Sequence, residues 1–140
     1  IHTGKIPEVF ERRYVYDYKE TLDVKRMRKA AEYLCGTHDF KSFCGNKKMK
    51  KSTVRTIFQI QIKELPGEIQ IYYTGNGFLQ NMVRILTGTL IEIGDGRREP
   101  EDISEILEEK NREAAGYTVP ACGLTLIEVV YQEKELSQCR

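Results

Sequence analysis

Arg84 is the first candidate for chemistry, because its surroundings in the sequence contain so little charge. It lies in NGFLQNMVRILTGTLIEIG, residues 76–94, and is the only charged residue of that stretch before Glu92. A guanidinium taken out of water requires a carboxylate, phosphate or carbonyl partner. Two interpretations remain open: backbone carbonyls or an acid of this domain satisfy Arg84, or it faces an active site whose acid lies elsewhere.

The residues that share a helical face with Arg84 support an enclosed position. Gln80, Asn81, Thr87 and Gly88 occupy this face, whereas a solvated helix face normally carries Lys and Glu. We therefore expect the face to pack against another part of the protein, with Gly88 allowing a close approach.

A second candidate is a run of cations, which we call the basic segment, residues 41–55. It contains no acid and six cations: Lys41, Lys47, Lys48, Lys50, Lys51 and Arg55. A solvated surface loop would explain such a run. A loop that contacts nucleic-acid phosphates is the alternative explanation, with Lys47, Lys48, Lys50, Lys51 and Arg55 as the RNA-binding candidates. Such contacts give affinity without sequence recognition.

Composition and motifs exclude several other kinds of site. The net charge is +1, so attraction to nucleic acid depends on local charge arrangement. The four cysteines form no CxxC pair and the two histidines lack metal-ligand spacing, which predicts free thiols and no zinc. No nucleotide-binding or hydrolase motif is present. No apolar run is long enough for a membrane span, so we expect a soluble, intracellular protein.

The elements that must position these residues follow from periodicity and end signals. A helix is predicted at 77–93, with Leu79, Met82, Val83, Leu86, Leu90 and Ile93 facing the core. A second helix is predicted at 23–35, between an Asp23 N-cap and Gly36, and a third within residues 99–111. Strands are predicted at 13–18, 54–64, 68–74 and 123–131, with Phe58, Ile60 and Ile62 on one face of the second. This order predicts an α+β fold, an antiparallel or mixed sheet with helices packed on one face.

Four motifs in order resemble the tRNA pseudouridine synthase A family, specifically its C-terminal part. They are MRKAAEYLCGTHDFKSF, STVRTI, GNGFLQNMVRILTGTLIEIGDG and ACGLTLIEVVY, and the similarity extends over about residues 10–131. The resemblance implies half of a pseudouridine synthase fold. It also implies isomerisation of uridine to pseudouridine in the tRNA anticodon stem-loop, just 3′ of the anticodon, on a flipped-out nucleotide.

The resemblance also implies roles and partners. An aspartate would be the nucleophile, Arg84 would be its ion-pair partner, and Leu124 would lie near the uracil pocket. The alternative for Leu124 is an ordinary place in the core of its strand. The expected partner is tRNA, with a cytoplasmic homodimer and no cofactor, metal or membrane.

The family's aspartate motif is not recognisable in this sequence. We therefore expect residues 1–140 to be a C-terminal domain fragment, with a polar tail at 132–140 and no activity of its own. Two alternatives without catalysis are a stand-alone RNA-binding module, which would need aromatic side chains exposed on its sheet, and an oligomerisation module.

Overall fold

The computed structural model describes residues 1, 18 and 21–123. Within 21–123 the order of the main elements is helix, strand, strand, strand, helix, helix. The strands predicted at 13–18 and 123–131, the polar tail and Leu124 lie outside the described residues, apart from Tyr18 and Gly123 at the strand ends. Among the described residues, no helix has the length and apolarity that crossing a membrane requires.

Three antiparallel strands form the described sheet, in the order β1-β2-β3. They are β1 (Gly36–Asp39), β2 (Val54–Leu65) and β3 (Glu68–Gly75), and a tight turn joins β2 to β3. The predicted hairpin is confirmed. Strand β1 was not predicted, because its sequence GTHD is short and carries none of the alternation that indicates a strand.

A β-bulge in β2 corrects the predicted alternation. Ile57 pairs with Gly75, but Gln59 pairs with Thr74, so Phe58 is the extra residue. The bulge places Ile57 on the core side, where it is 1% exposed, while Phe58 remains half-buried. Beyond it, Ile60 and Ile62 follow the predicted alternation.

Helix α1 (Val24–Leu34) has the predicted ends and packs on the sheet. The Asp23 carboxylate accepts hydrogen bonds from the backbone N–H groups of Lys25 and Arg26, which is an N-cap. Five apolar residues of one face are buried: Val24, Met27, Ala30, Ala31 and Leu34.

Helix α2 (Met82–Gly94) starts five residues later than predicted. Asn81 has φ 59°, a left-handed conformation that cannot continue a helix. Val83, predicted to face the core, is only half-buried and lies outside the core cluster, whereas Ile85, Thr89 and Ile91, outside the predicted stripe, are fully buried. Tyr73 of β3 shares a hydrogen bond with the Thr87 hydroxyl, so α2 lies on the same sheet face as α1. The predicted α+β architecture is confirmed.

A carboxylate at the end of α2 is held in its charged form. Asp95 accepts hydrogen bonds from Tyr18 Oη at 2.6 Å and Arg97 Nε at 2.8 Å. Burial alone would raise the pKa of Asp95, but these bonds and the Arg97 charge outweigh it and lower the pKa below its ordinary value. Ionised Asp95 therefore stabilises the turn after α2.

Helix α3 (Asp102–Glu109) is shorter than predicted and buries Ile103 and Ile106. It packs near a short 3₁₀ turn, Lys41–Phe43, at the start of the basic segment. The fully buried Ser42 hydroxyl joins the two by donating to Ile106 O at 2.7 Å and accepting from Asn111 N at 2.9 Å.

Candidate nucleic-acid interface and catalytic arginine

Arg84 lies on the first turns of α2 and is held at two of its nitrogens. Its Nε donates to Val119 O at 2.7 Å, and its Nη1 donates to the side-chain oxygen of Asn81 at 3.0 Å. Within residues 21–123, Nη2 donates no hydrogen bond and no carboxylate forms an ion pair with Arg84. The carbonyl contact foreseen by the first interpretation is therefore present. The edge of the guanidinium that carries Nη2 can still bind a further partner.

The face of α2 that carries Arg84 packs against residues 115–119, as the small and amide side chains predicted. A Cβ placed on Gly88 would lie 1.8 Å from Tyr117 O, so only glycine allows this approach. Gly116 N donates to Thr89 Oγ1 at 2.9 Å, and Val119 N donates to Arg84 O at 3.3 Å. These contacts fix the carbonyl that holds Arg84.

The basic segment connects β1 to β2 and closes on itself at its base. Phe40 N donates to Thr53 O at 3.0 Å, and the Asp39 carboxylate accepts from the Thr53 hydroxyl and from Lys41 N. The four lysines beyond this base are all exposed: Lys47, Lys48, Lys50 and Lys51. Their ammonium groups are therefore accessible to a partner.

Arg55 differs from the lysines in that its guanidinium is already bound to backbone. Its Nη1 donates to Ser52 O at 2.8 Å and to Val54 O at 2.7 Å. A Cβ on Gly77 would lie 3.5 Å from Arg55 Nε, so Arg55 lies beside the stretch between β3 and α2. This side chain is positioned, while the lysines are free to adapt.

An acid on a neighbouring element partly offsets the positive charge. Lys47 Nζ lies 4.0 Å from Glu113 Oε1, although the two side chains are 69% and 79% exposed. Ion pairs this exposed are weak and screened by salt, so the basic segment remains positively charged overall.

Residues 75–81, which join β3 to α2, bring the two candidate groups together. Asn76 is fixed to β2, since its side-chain oxygen accepts from Thr56 N and its own N–H donates to Thr56 O. At the other end, Gly45 N of the basic segment donates to Gln80 O at 2.8 Å. The basic segment is therefore attached one residue before Asn81, which holds Arg84.

Asn81 is a site residue that sequence reasoning placed only inside a helix. The available indication was the residue type, because Asn tolerates left-handed backbone better than most residues. Leu124 lies outside the described residues, five positions after the Val119 carbonyl that binds Arg84.

No group of three or more His, Cys, Asp or Glu side chains in the described part of the chain could hold a metal ion. Cys35 and Cys44 are free thiols.

Known proteins match most of this chain in sequence. A family model described as tRNA pseudouridine synthase matches residues 30–132. The chain is 50% identical over 128 residues to tRNA pseudouridine synthase A 1 of Bacillus cereus (strain ATCC 14579), covering 91% of this chain and 52% of the relative. It is 47% identical over 131 residues to tRNA pseudouridine synthase A of Bacillus subtilis (strain 168), covering 94% and 53%.

A similar relation holds for tRNA pseudouridine synthase A of Brevibacillus brevis, at 46% identity over 131 residues, with 94% of this chain and 54% of the relative covered. The chain thus spans about half the length of the curated relatives it matches. With a family match over residues 30–132 and this level of identity, the chain belongs to the tRNA pseudouridine synthase family.

Proposed function

We propose that this chain is the C-terminal part of an enzyme that converts uridine to pseudouridine in the anticodon stem-loop of tRNA. Family membership supports the reaction class, and the attachment of the basic segment to Gln80, next to Asn81 and Arg84, supports this use of the site. In this arrangement cations that can bind an RNA backbone lie beside an arginine with one unused edge.

In the proposed reaction, Arg84 serves a nucleophilic aspartate that this sequence does not recognisably contain. The aspartate attacks the flipped-out nucleotide, the bond between uracil N1 and C1′ breaks, and the rotated base forms a new bond from C5 to C1′. The bond to the aspartate breaks again, which restores the carboxylate. The C5 hydrogen leaves as a proton, and N1 takes up a proton. The positive charge of Arg84 would lower the pKa of the aspartate and orient it, while Val119 O and Asn81 hold the guanidinium from the other side.

The remaining residues have proposed roles in binding. The exposed lysines of the basic segment and Arg55 would contact tRNA phosphates, and Leu124 would border the uracil pocket. The proposal includes a cytoplasmic homodimer that uses no cofactor, and light scattering of the full-length protein tests the dimer.

The decisive experiment replaces Arg84 with methionine in the full-length protein that contains this chain. Losing one member of a buried charge pair costs roughly 2–5 kcal/mol, so kcat for pseudouridine formation should fall by roughly 30-fold to several thousand-fold. The Kd for tRNA should change little, because the side chain serves the reacting carboxylate. Tritium release from tRNA labelled at uracil C5 measures the reaction.

Arg26→Met is the matched control. Arg26 also donates to backbone carbonyls, from Nε to Ile93 O at 2.9 Å and from Nη2 to Arg98 O at 2.6 Å. Both variants lose arginine–carbonyl hydrogen bonds, but only Arg84→Met should lose turnover beyond its loss of stability. Equal effects on turnover would show that Arg84 has a structural role alone.

A separate experiment tests whether residues 1–140 react without further sequence. The chain alone should release no tritium, because no nucleophilic aspartate motif is recognisable in it. Tritium release by the chain alone would contradict this part of the proposal.

A further inference from the structure

Asn81 combines a left-handed backbone with a side chain that binds Arg84. Asn81 has φ 59° and ψ 9° directly before α2, and its side chain makes no capping hydrogen bond to the helix. Its amide oxygen instead accepts from Arg84 Nη1 at 3.0 Å. Asparagine therefore meets two demands at once, a backbone conformation that most residues avoid and an acceptor for the guanidinium.

The basic segment comes close to Asn81 at Gly45. A Cβ placed on Gly45 would lie 2.9 Å from Asn81 Nδ2, 3.3 Å from Asn81 Cβ and 3.3 Å from Gln80 O. Gly45 is also bonded through its N–H to Gln80 O. A side chain at position 45 would force Asn81 or Gln80 to shift, and the hydrogen bond to Gln80 O holds the basic segment beside Asn81.

We propose that Asn81 is a positioning residue that transmits the placement of the basic segment to Arg84. This inference rests on the proposed function, in which Arg84 serves the nucleophile. The hydrogen bond from Gly45 N to Gln80 O holds the basic segment beside Asn81, the Asn81 amide holds Nη1, and Val119 O holds Nε. Because the guanidinium is planar, two fixed nitrogens orient Nη2 toward the partner carboxylate.

The inference also concerns substrate binding. The lysines that would bind the RNA backbone begin two residues after Gly45. Distortion of the basic segment at position 45 would therefore disturb the orientation of Arg84, although Gly45 contacts no reacting atom. The hydrogen bond between Gly45 N and Gln80 O therefore links the segment that carries the lysines to the residue beside Asn81, which holds Arg84.

The test uses Asn81→Gly, Asn81→Asp and Gly45→Ala in the full-length protein. Asn81→Gly keeps the left-handed backbone and removes only the amide. A small misplacement of a catalytic group can cost about 100-fold in rate, so kcat should fall about 10- to 100-fold with a nearly unchanged Kd for tRNA. Asn81→Asp should be at least as slow, since the new carboxylate competes for Arg84. Gly45→Ala should lower kcat in the same direction.

Lys110→Gly is the control for backbone conformation. Lys110 is the other non-glycine residue with positive φ, 50°, in the described part of the chain. The glycine substitution relieves the same kind of backbone strain there without touching Arg84, so kcat should remain unchanged. A fall equal to that of Asn81→Gly would assign the effect to the backbone and overturn the proposal.

The pH dependence of the rate separates positioning from general destabilisation. A misoriented Arg84 stabilises the carboxylate less, so the acidic limb of the kcat profile should move to higher pH in Asn81→Gly. An unshifted profile or an unchanged kcat would overturn the role of Asn81. An unchanged kcat in Gly45→Ala would overturn the link to the basic segment.

A measurement that does not depend on enzyme activity tests the inference separately from the proposed function. Nitrogen-detected NMR of Arg84 should show slow rotation about the Nε–Cζ bond in the unsubstituted protein and faster rotation in Asn81→Gly. If the unsubstituted protein made no pseudouridine, the proposed function would fail. Rotation would still show whether Asn81 holds Arg84, and equal rotation rates would overturn that contact.

Discussion

Replacing Gly88 with alanine is expected to separate residues 115–119 from helix α2. The new Cβ would lie 1.8 Å from Tyr117 O and 2.9 Å from its carbonyl carbon. Carbon–oxygen contacts normally lie near 3.3–3.6 Å, so the two backbones must move apart by roughly 1.5 Å. Both atoms belong to the backbone, and no flexible side chain can move to relieve the overlap.

The expected loss of stability combines overlap with broken hydrogen bonds. Overpacking costs roughly 1–3 kcal/mol. Three hydrogen bonds also lengthen or break: Gly116 N to Thr89 Oγ1, Val119 N to Arg84 O, and Arg84 Nε to Val119 O. At about 1 kcal/mol each, and with the overlap added, the free energy that holds this segment in place should fall by about 4–6 kcal/mol.

Native-state hydrogen exchange of the Gly116 and Val119 amides measures this change locally. Both amides should exchange at least about 100-fold faster in Gly88→Ala, since 1.4 kcal/mol corresponds to a factor of ten. Gly77→Ala is the matched control, because its Cβ would meet only ordinary contacts at 3.5 and 3.6 Å. Unchanged exchange in Gly88→Ala would refute the inference that this close approach holds the carbonyl of Val119 against Arg84.

Two further predictions concern charge. Reversing the charges of the four exposed lysines of the basic segment, Lys47, Lys48, Lys50 and Lys51, should weaken tRNA binding and flatten its salt dependence. The log–log slope should fall by roughly 0.7–0.9 for each phosphate that the protein no longer neutralises, and an unchanged slope would contradict binding of phosphates by these lysines. Asp95→Asn should reduce the free energy of unfolding at pH 7 by about 1–3 kcal/mol, measured by urea titration. Because folding lowers the pKa of Asp95, its stabilisation is complete above the ordinary carboxyl pKa, about 3.9, and is lost as pH falls through the folded-state pKa, so the two proteins should converge in acid.

The parts of the fold that could be predicted are those that one local pattern determines. Asp23 with its following apolar residues gave α1, and the β2–β3 turn gave the hairpin. The enclosed face of α2 followed from Gly88 and its polar neighbours. The start of α2 could not be predicted, because Leu79 continues the apolar stripe while the backbone turns left-handed at Asn81.

The candidate site, like the fold, could be predicted from the sequence only in part. Arg84 and the basic segment could be identified from the sequence alone. Both consist of cations with no acid nearby in the sequence, and residue types alone show this. Their connection through Gly45 and Asn81 depends on a backbone hydrogen bond between residues 35 positions apart. Local periodicity carries no information about such long-range contacts. The carbonyl of Val119 was not foreseen for the same reason, because a backbone acceptor has no residue type.

The bulge at Phe58 determines which changes of chain length β2 can tolerate. Successive residues of a strand point to opposite faces, so the extra residue allows Ile57 and Ile60 both to face the core although they are three positions apart. A substitution at position 58 leaves the facing of Ile57 and Ile60 toward the core unchanged. A deletion there would invert one half of the strand, turning Ile57 away from the core and Arg55 to the other face. In this strand, sequence length is under a stricter constraint than residue identity.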